Sequence, residues 1–156
     1  MIPSDHFVRF YNEVFKALEE KGREHLEAYW EEIGRQQIAS LGERFRKGGI
    51  KACHDYWQRI KIEENCDIEI QLTPDYLEMR MLRCPSLSKV LDSDAEPSPS
   101  YCDHCPGWVT PVMAYAGLFY VKDTGSPTEP TCYSRIYEDR KKAEAFARER
   151  GLRVLP

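Results

Sequence analysis

The hydrophobic period of this chain changes once, near residue 65, and that change constrains the fold more than any other feature. Before it, apolar residues recur at three- and four-residue steps. Phe7, Phe10, Tyr11, Val14, Phe15 and Leu18 form one set, Leu26, Tyr29, Trp30, Ile33, Leu41 and Phe45 a second, and Ile50, Cys53, Trp57 and Ile60 a third. This is the spacing of a single helix face. After it, Ile68, Ile70 and Leu72 alternate with Asp67, Glu69 and Gln71, and Leu77, Met79 and Met81 alternate with Glu78 and Arg80. That period of two marks strands with one wet face. Helices first and strands second predict an α+β fold.

Local signals set the boundaries. Ser4 reads as the N-cap of the first helix and Gly22 as the residue just past its end. A second helix is expected over 23–47, ended by Gly48-Gly49, and a third from Ile50 onward. Thr73-Pro74-Asp75 supplies a hairpin turn. The second strand of that hairpin delivers Cys84 at its tip, and Pro85 is suited to open a short helix over 85–91. Residues 92–100 (DSDAEPSPS) are polar and proline-broken, which predicts a mobile surface loop, with a plain connector as the competing reading. Thr110-Pro111 predicts the start of a short helix closed by Gly117. Residues 118–122 and 132–137 predict a second hairpin, and Asp139 caps a last helix that ends at Gly151. The expected architecture is α+β, with N-terminal helices packed on a four-stranded, mostly antiparallel sheet. One domain over 1–156 is expected, with a helical part (1–65) and a sheet part (66–156).

Composition excludes several classes. The 156 residues suffice for one domain with a core. A net charge of −4 argues against a nucleic-acid binder, which needs a basic surface to neutralise phosphates. The longest apolar run, 108–121, is interrupted by Thr110, Pro111 and Gly117 and is too short to span a bilayer. The first residues, Met1-Ile2-Pro3-Ser4-Asp5-His6, lack the basic flank and apolar core of a signal peptide. The expectation is a cytoplasmic protein acting on a small-molecule substrate or ligand, without nucleic acid or membrane. The aromatic helix from Phe7 to Leu18 offers a face for a homodimer.

In a reducing compartment, six cysteines point to metal or redox chemistry rather than disulfides. Cys53, on a helix stripe, and Cys66, at the helix-to-strand change, read as small buried hydrophobes. Cys84, Cys102, Cys105 and Cys132 read as one metal site. Cys102-Asp103-His104-Cys105 is a C-x-x-C, whose two thiolates on one tight turn can reach a single ion at about 2.3 Å. Cys84 ends one predicted strand and Cys132 begins another, so both can converge on that turn if the hairpins share a sheet. The set suits Zn²⁺, with a [4Fe–4S] cluster as the alternative. A redox dithiol is the competing reading of the C-x-x-C. His104, between the two thiols, is the candidate catalytic residue, as proton shuttle or ligand. His54-Asp55 is a weaker acid–base pair, because neighbours on a helix point in different directions. His6 and His25 read as surface residues. Trp108, Met113 and Tyr115 read as core, or as the wall of an apolar ligand cavity.

Three short segments resemble a known family: Met79-Arg80-Met81-Leu82-Arg83-Cys84-Pro85, Tyr101-Cys102-Asp103-His104-Cys105, and Thr131-Cys132-Tyr133-Ser134-Arg135-Ile136. Together they look like the L-2-amino-thiazoline-4-carboxylic acid hydrolase family, and they are also similar to the cysteine-bearing 4-vinyl reductase domains. The first resemblance implies an enzyme that hydrolyses a C–N bond in a small cyclic amidine-like substrate. The second, closer in having a complete C-x-x-C, implies a small-ligand-binding domain with zinc held by cysteines. A hydrolytic metal needs an open coordination position, whereas four thiolates close a zinc site. Three functions therefore stand at this point: a metal-binding hydrolase, a non-catalytic ligand-binding domain with a structural four-cysteine zinc, and an iron–sulfur protein.

Overall fold

The computed structural model describes residues 5–93 and 95–155. The expected cap at Ser4 lies outside the described residues. The chain forms α1 (Asp5–Glu19), α2 (Arg23–Gln36), a π-helical turn (Ile38–Gly42), α3 (Glu43–Glu63), β1 (Asp67–Leu72), β2 (Tyr76–Arg83), α4 (Pro85–Asp92), a 3₁₀ turn (Tyr101–Asp103), α5 (His104–Ala116), β3 (Phe119–Asp123), β4 (Cys132–Tyr137), α6 (Arg140–Arg150) and β5 (Val154–Leu155). The architecture is α+β, as the change of period predicts. The sheet has five strands rather than four, in the order β1-β2-β4-β3-β5, and every pairing is antiparallel. The added strand is the two-residue β5, which returns after the left-handed turn at Gly151 (φ 65°) to pair with β3.

The sheet is covered on both faces. On one, Ile68, Leu77, Met79, Tyr120 and Ile136 pack with Phe45 and Cys53 from α3 and Val112 and Met113 from α5. On the other, Val121 and Tyr137 pack against Ala143, Phe146 and Ala147 of α6. A third cluster joins α1, α2 and α4 through Val8, Phe15, Leu26, Trp30, Leu87 and Tyr101. Within α1 the buried residues are Val8, Asn12 and Phe15, while Phe7 and Phe10 are exposed. The apolar residues of α1 thus divide between a buried stripe and an exposed one.

Four boundaries differ from the sequence reading. The helix expected over 23–47 is divided at the π-helical turn, where the N–H groups of both Leu41 and Gly42 reach the Gln37 carbonyl (2.8 and 3.2 Å). The extra residue brings Gly42 against Tyr115, where a Cβ would lie 3.1 Å from the ring. Gly49 does break the helix, but as a kink inside α3 (φ 56°, ψ −150°). Gly22 is not the residue after α1. It precedes α2, with φ 133°. α5 begins at His104 rather than near Thr110, with Pro111 inside it. Proline has no N–H for the carbonyl one turn back, and contact with α2 carries the helix through. A Cβ on Gly107 would lie 2.7 Å from the Trp30 Cβ, and one on Gly34 would lie 2.5 Å from the Trp108 carbonyl oxygen. Two glycines thus let the backbones approach, which no rule about proline reveals.

The stretch after α4 is not a free loop. Asn12, fully buried, accepts from the Ser98 N–H (2.8 Å) and donates to the Glu96 carbonyl (2.8 Å). Ser98 is itself fully buried. Among the described residues, no helix is long and apolar enough to cross a membrane.

Candidate active site

The antiparallel register of β2 and β4 sets Met81 opposite Cys132. Beyond β2 the Cys84 N–H donates to the Pro130 carbonyl (2.6 Å), so Cys84 lies beside the residues that lead into Cys132. Cys84 is also the N-cap of α4. Its Sγ accepts from the Leu87 N–H at 3.5 Å, and Pro85 occupies the first helical position. Cys102 sits in the 3₁₀ turn, and its Sγ donates to the Ser126 carbonyl at 3.9 Å. Cys105 is the second residue of α5. Each of these four cysteines is half-buried, whereas Cys53 and Cys66 are buried, as expected for core thiols.

The sharpest contact lies between His104 and Cys105. His104 is buried (6 % exposed), with its ring 4.6 Å from Trp108, 5.1 Å from Tyr101 and 5.5 Å from Phe15. Its Nδ1 faces the Tyr101 carbonyl oxygen. A carbonyl only accepts, so Nδ1 carries the hydrogen, and Nε2 is left for the Cys105 Sγ at 3.4 Å. An imidazole fixed at one nitrogen and touching a thiol at the other is the arrangement that activates a sulfur nucleophile.

Lys122 adds a positive charge. It lies on β3 opposite Ser134, and its Nζ donates to the Cys132 Sγ at 3.4 Å. Burial opposes ionisation of Cys105, but the charges of His104 and Lys122 and the hydrogen bond from His104 bring its thiol down to about 6. Burial likewise opposes protonation of His104, and Cys105 raises it. Each thus favours the charged form of the other. The remaining thiols go the other way. Burial and then the negative charge of Cys105 push Cys84 up to about 12 and Cys102 to about 11. Burial does the same to Cys53 (about 12) and Cys66 (about 11).

The four thiols expected to share an ion therefore lie in one region, where the charge of Cys105 reaches both Cys84 and Cys102. Their donor chemistry suits Zn²⁺ or a [4Fe–4S] cluster. In this structure each thiol is turned to a different partner. Cys84 is engaged with the Leu87 N–H, Cys102 with Ser126, Cys105 with His104 and Cys132 with Lys122. Among the described residues, no group of three or more His, Cys, Asp or Glu side chains is gathered into a set that could hold a metal ion.

Lys122 and Ser126 escaped the sequence reading. Lys122 could have been found: it shares a strand face with Leu118 and Tyr120, so a charge there is the odd member of an apolar stripe. Ser126 carries no signal, because its carbonyl does the work. His54 does bond its neighbour, with Nδ1 at 3.1 Å from the Asp55 carboxylate, but Asp55 is also held by Lys51 on the exposed side of α3. The cavity beside Met113, lined also by Phe45, Tyr56, Trp57 and Val112, measures about 30 Å³, room for roughly a water molecule and not a metabolite. Met113 is core, and Tyr115 is 41 % exposed. Comparison of the chain with known protein families, characterised proteins and solved structures finds no match.

Proposed function

We propose that the cysteine region is the reaction centre of a hydrolase that opens a C–N bond in a small cyclic amidine-like molecule. Cys105 is the nucleophile and His104 its acid–base partner. The observation that carries this reading is the chain from the Tyr101 carbonyl through His104 to the Cys105 Sγ. The carbon of an amidinium is electron-poor and bears a nitrogen leaving group that needs a proton. A thiolate beside an imidazolium supplies both requirements. The Cys105 sulfur bonds to that carbon, and the ring nitrogen departs with the proton from His104 Nε2. Water then attacks the carbon, giving one proton to His104 and one to solvent. The carbon–sulfur bond breaks, the new carbonyl is released, and the thiolate–imidazolium pair is restored. Lys122, beside Cys132, keeps positive charge near the reacting sulfur.

The test uses 2-amino-thiazoline-4-carboxylate as the cyclic probe, with product amine measured. Cys105→Ala and His104→Asn should each lower turnover by about 10²-fold or more while circular dichroism stays that of the parent. A Cys105→Ala variant that keeps its rate would sink the reading.

A second reading rests on the donor chemistry of Cys84, Cys102, Cys105 and Cys132. These thiols would hold a structural zinc in a non-catalytic ligand-binding domain, or a [4Fe–4S] cluster. Metal analysis and the visible spectrum after anaerobic purification decide it. One zinc per chain supports the first form, a broad brown absorption supports the second, and metal-free protein with activity removes both.

A further inference from the structure

We propose that Cys102 and Cys105 are a reversible dithiol. They exchange with a small-molecule disulfide, with Cys105 attacking, Cys102 resolving, and an intramolecular disulfide left between them. The backbone is continuous through this segment, with the 3₁₀ turn Tyr101–Asp103 running into α5 and Asp103 and His104 both in the right-handed helical region. Residues three apart on such a backbone have Cβ atoms about 5–6 Å apart. Disulfides span Cα separations of about 4.4–6.8 Å, which the roughly 5 Å of a helical i,i+3 pair meets, but they need Cβ atoms about 3.5–4.5 Å apart, so the bond closes with an inward shift of this turn of about 1 Å.

The hydrogen bonds assign the two roles. The Cys105 Sγ sits at His104 Nε2 (3.4 Å), where a thiolate is stabilised. The Cys102 Sγ donates to the Ser126 carbonyl (3.9 Å), so Cys102 is held as a thiol. The other nearby sulfurs are engaged elsewhere, Cys84 as the cap of α4 and Cys132 with Lys122.

In the first step the Cys105 thiolate attacks one sulfur of the small disulfide, forming a mixed disulfide and expelling one small thiolate. In the second, Cys102 loses its proton to that thiolate and attacks the Cys105 sulfur. The second small thiolate leaves with the proton that His104 Nε2 held beside the Cys105 sulfur, and the Cys102–Cys105 bond remains. The protein loses two electrons and two protons, and the small disulfide is reduced to two thiols. The disulfide does not depend on the hydrolase reading. Its consequence, that oxidation silences the nucleophile, rests on that reading.

The experiment equilibrates reduced protein with mixtures of oxidised and reduced glutathione, quenches with N-ethylmaleimide and digests with trypsin. Cys102 and Cys105 share the peptide 90–122, while Cys84 lies in 84–89 and Cys132 in 123–135. The expected result is a 90–122 peptide that has lost two hydrogens and takes no maleimide. Cys102→Ser should stop at one glutathionyl group on Cys105, and Cys105→Ser should leave Cys102 free. Cross-links from 90–122 to 84–89 or 123–135, or full maleimide labelling at the most oxidising ratio, overturn the proposal. Hydrolysis is assayed in parallel. A disulfide that forms in a protein inactive in both states counts against the hydrolase alone. Activity equal in both states counts against Cys105 as its nucleophile.

Discussion

Lys122 Nζ lies 3.4 Å from the Cys132 Sγ, so a charge on β3 is aimed across the ladder at a sulfur on β4. Sheet geometry puts it there. Lys122 pairs with Ser134, and Cys132, two residues away, shares the face of Ser134. The same face turns toward the start of α5, where Cys105 takes a share of that charge. One lysine therefore reaches three thiols, Cys132, Cys105 and Cys102, from a strand whose remaining residues on this face are core.

The first prediction concerns reactivity against pH. A thiolate alkylates and a thiol does not, so the rate rises as pH passes upward through the pKa. Because Cys105 is depressed to about 6, its iodoacetamide profile should have its midpoint near pH 6, with reactivity lost in more acid solution. Cys53 and Cys66, raised by burial, should stay unmodified at neutral pH until the protein unfolds. Peptide mapping after brief labelling at pH 7 checks both, and Cys53 labelling ahead of Cys105 would contradict the electrostatic account.

Lys122→Met should move that midpoint upward, because it removes a cation that favours the thiolate while keeping most of the stem in place. Each upward step of about one in pKa costs roughly 1.4 kcal/mol of preference for the thiolate and about tenfold of its population below the midpoint. Lys122→Arg should restore much of the original profile. An unchanged midpoint in Lys122→Met would leave His104 as the sole cause.

Gly49 and Glu138 give a stability prediction. Gly49 has a backbone (φ 56°, ψ −150°) that a side chain resists, and the helix restarts at Ile50, whose N–H is taken by the Glu138 carboxylate at 3.0 Å. A Cβ on Gly49 would also collide with that carboxylate. Gly49→Ala should cost about 1–3 kcal/mol, and Glu138→Ala about 1 kcal/mol as a lost cap. Thermal unfolding measures both. The double variant should fall short of the sum, since the clash with Glu138 is then gone.

Much of this was legible in the sequence, and the failures have physical reasons. Strand β4, both left-handed helix ends at Gly117 and Gly151, and the Asp139 cap follow from period and local chemistry, which depend on a few consecutive residues. Cys84 and Cys132 also fell at the expected strand ends. The start of α5 did not, because its continuation through Pro111 depends on contact with α2, with Gly107 against Trp30 and Gly34 against Trp108 and Pro111, residues more than 70 positions apart in the chain. The link from Lys122 to Cys132 depends on strand pairing. The loop after α4 read as mobile because its sequence is polar, while its order comes from Asn12 on another helix. Contacts between distant segments leave no local signature unless an apolar pattern is broken, as at Lys122.

Asn12 supplies the last prediction. It is a fully buried amide on α1, and its two ends meet the Ser98 N–H and the Glu96 carbonyl. Asn12→Ala would leave the buried Ser98 N–H without a partner, at about 1–3 kcal/mol where water cannot reach it, and give the Glu96 carbonyl over to water. The fall in melting temperature should be about 5 °C for a chain of this size. The effect should also travel. Ser98 and Ser100 donate to the Glu19 carboxylate, and Arg23 joins Ser100 to Asp103 (2.9 Å), which lies inside the C-x-x-C. Loosening 95–100 should therefore raise both protease cleavage in that stretch and the alkylation rate of Cys102, whose thiol is otherwise held at Ser126. Asn12→Asp separates the contributions. Its carboxylate can still accept from Ser98 but cannot donate to Glu96, so it should retain part of the stability. Cleavage and Cys102 labelling that stay at parent levels in Asn12→Ala would show that the loop is ordered by something other than this amide.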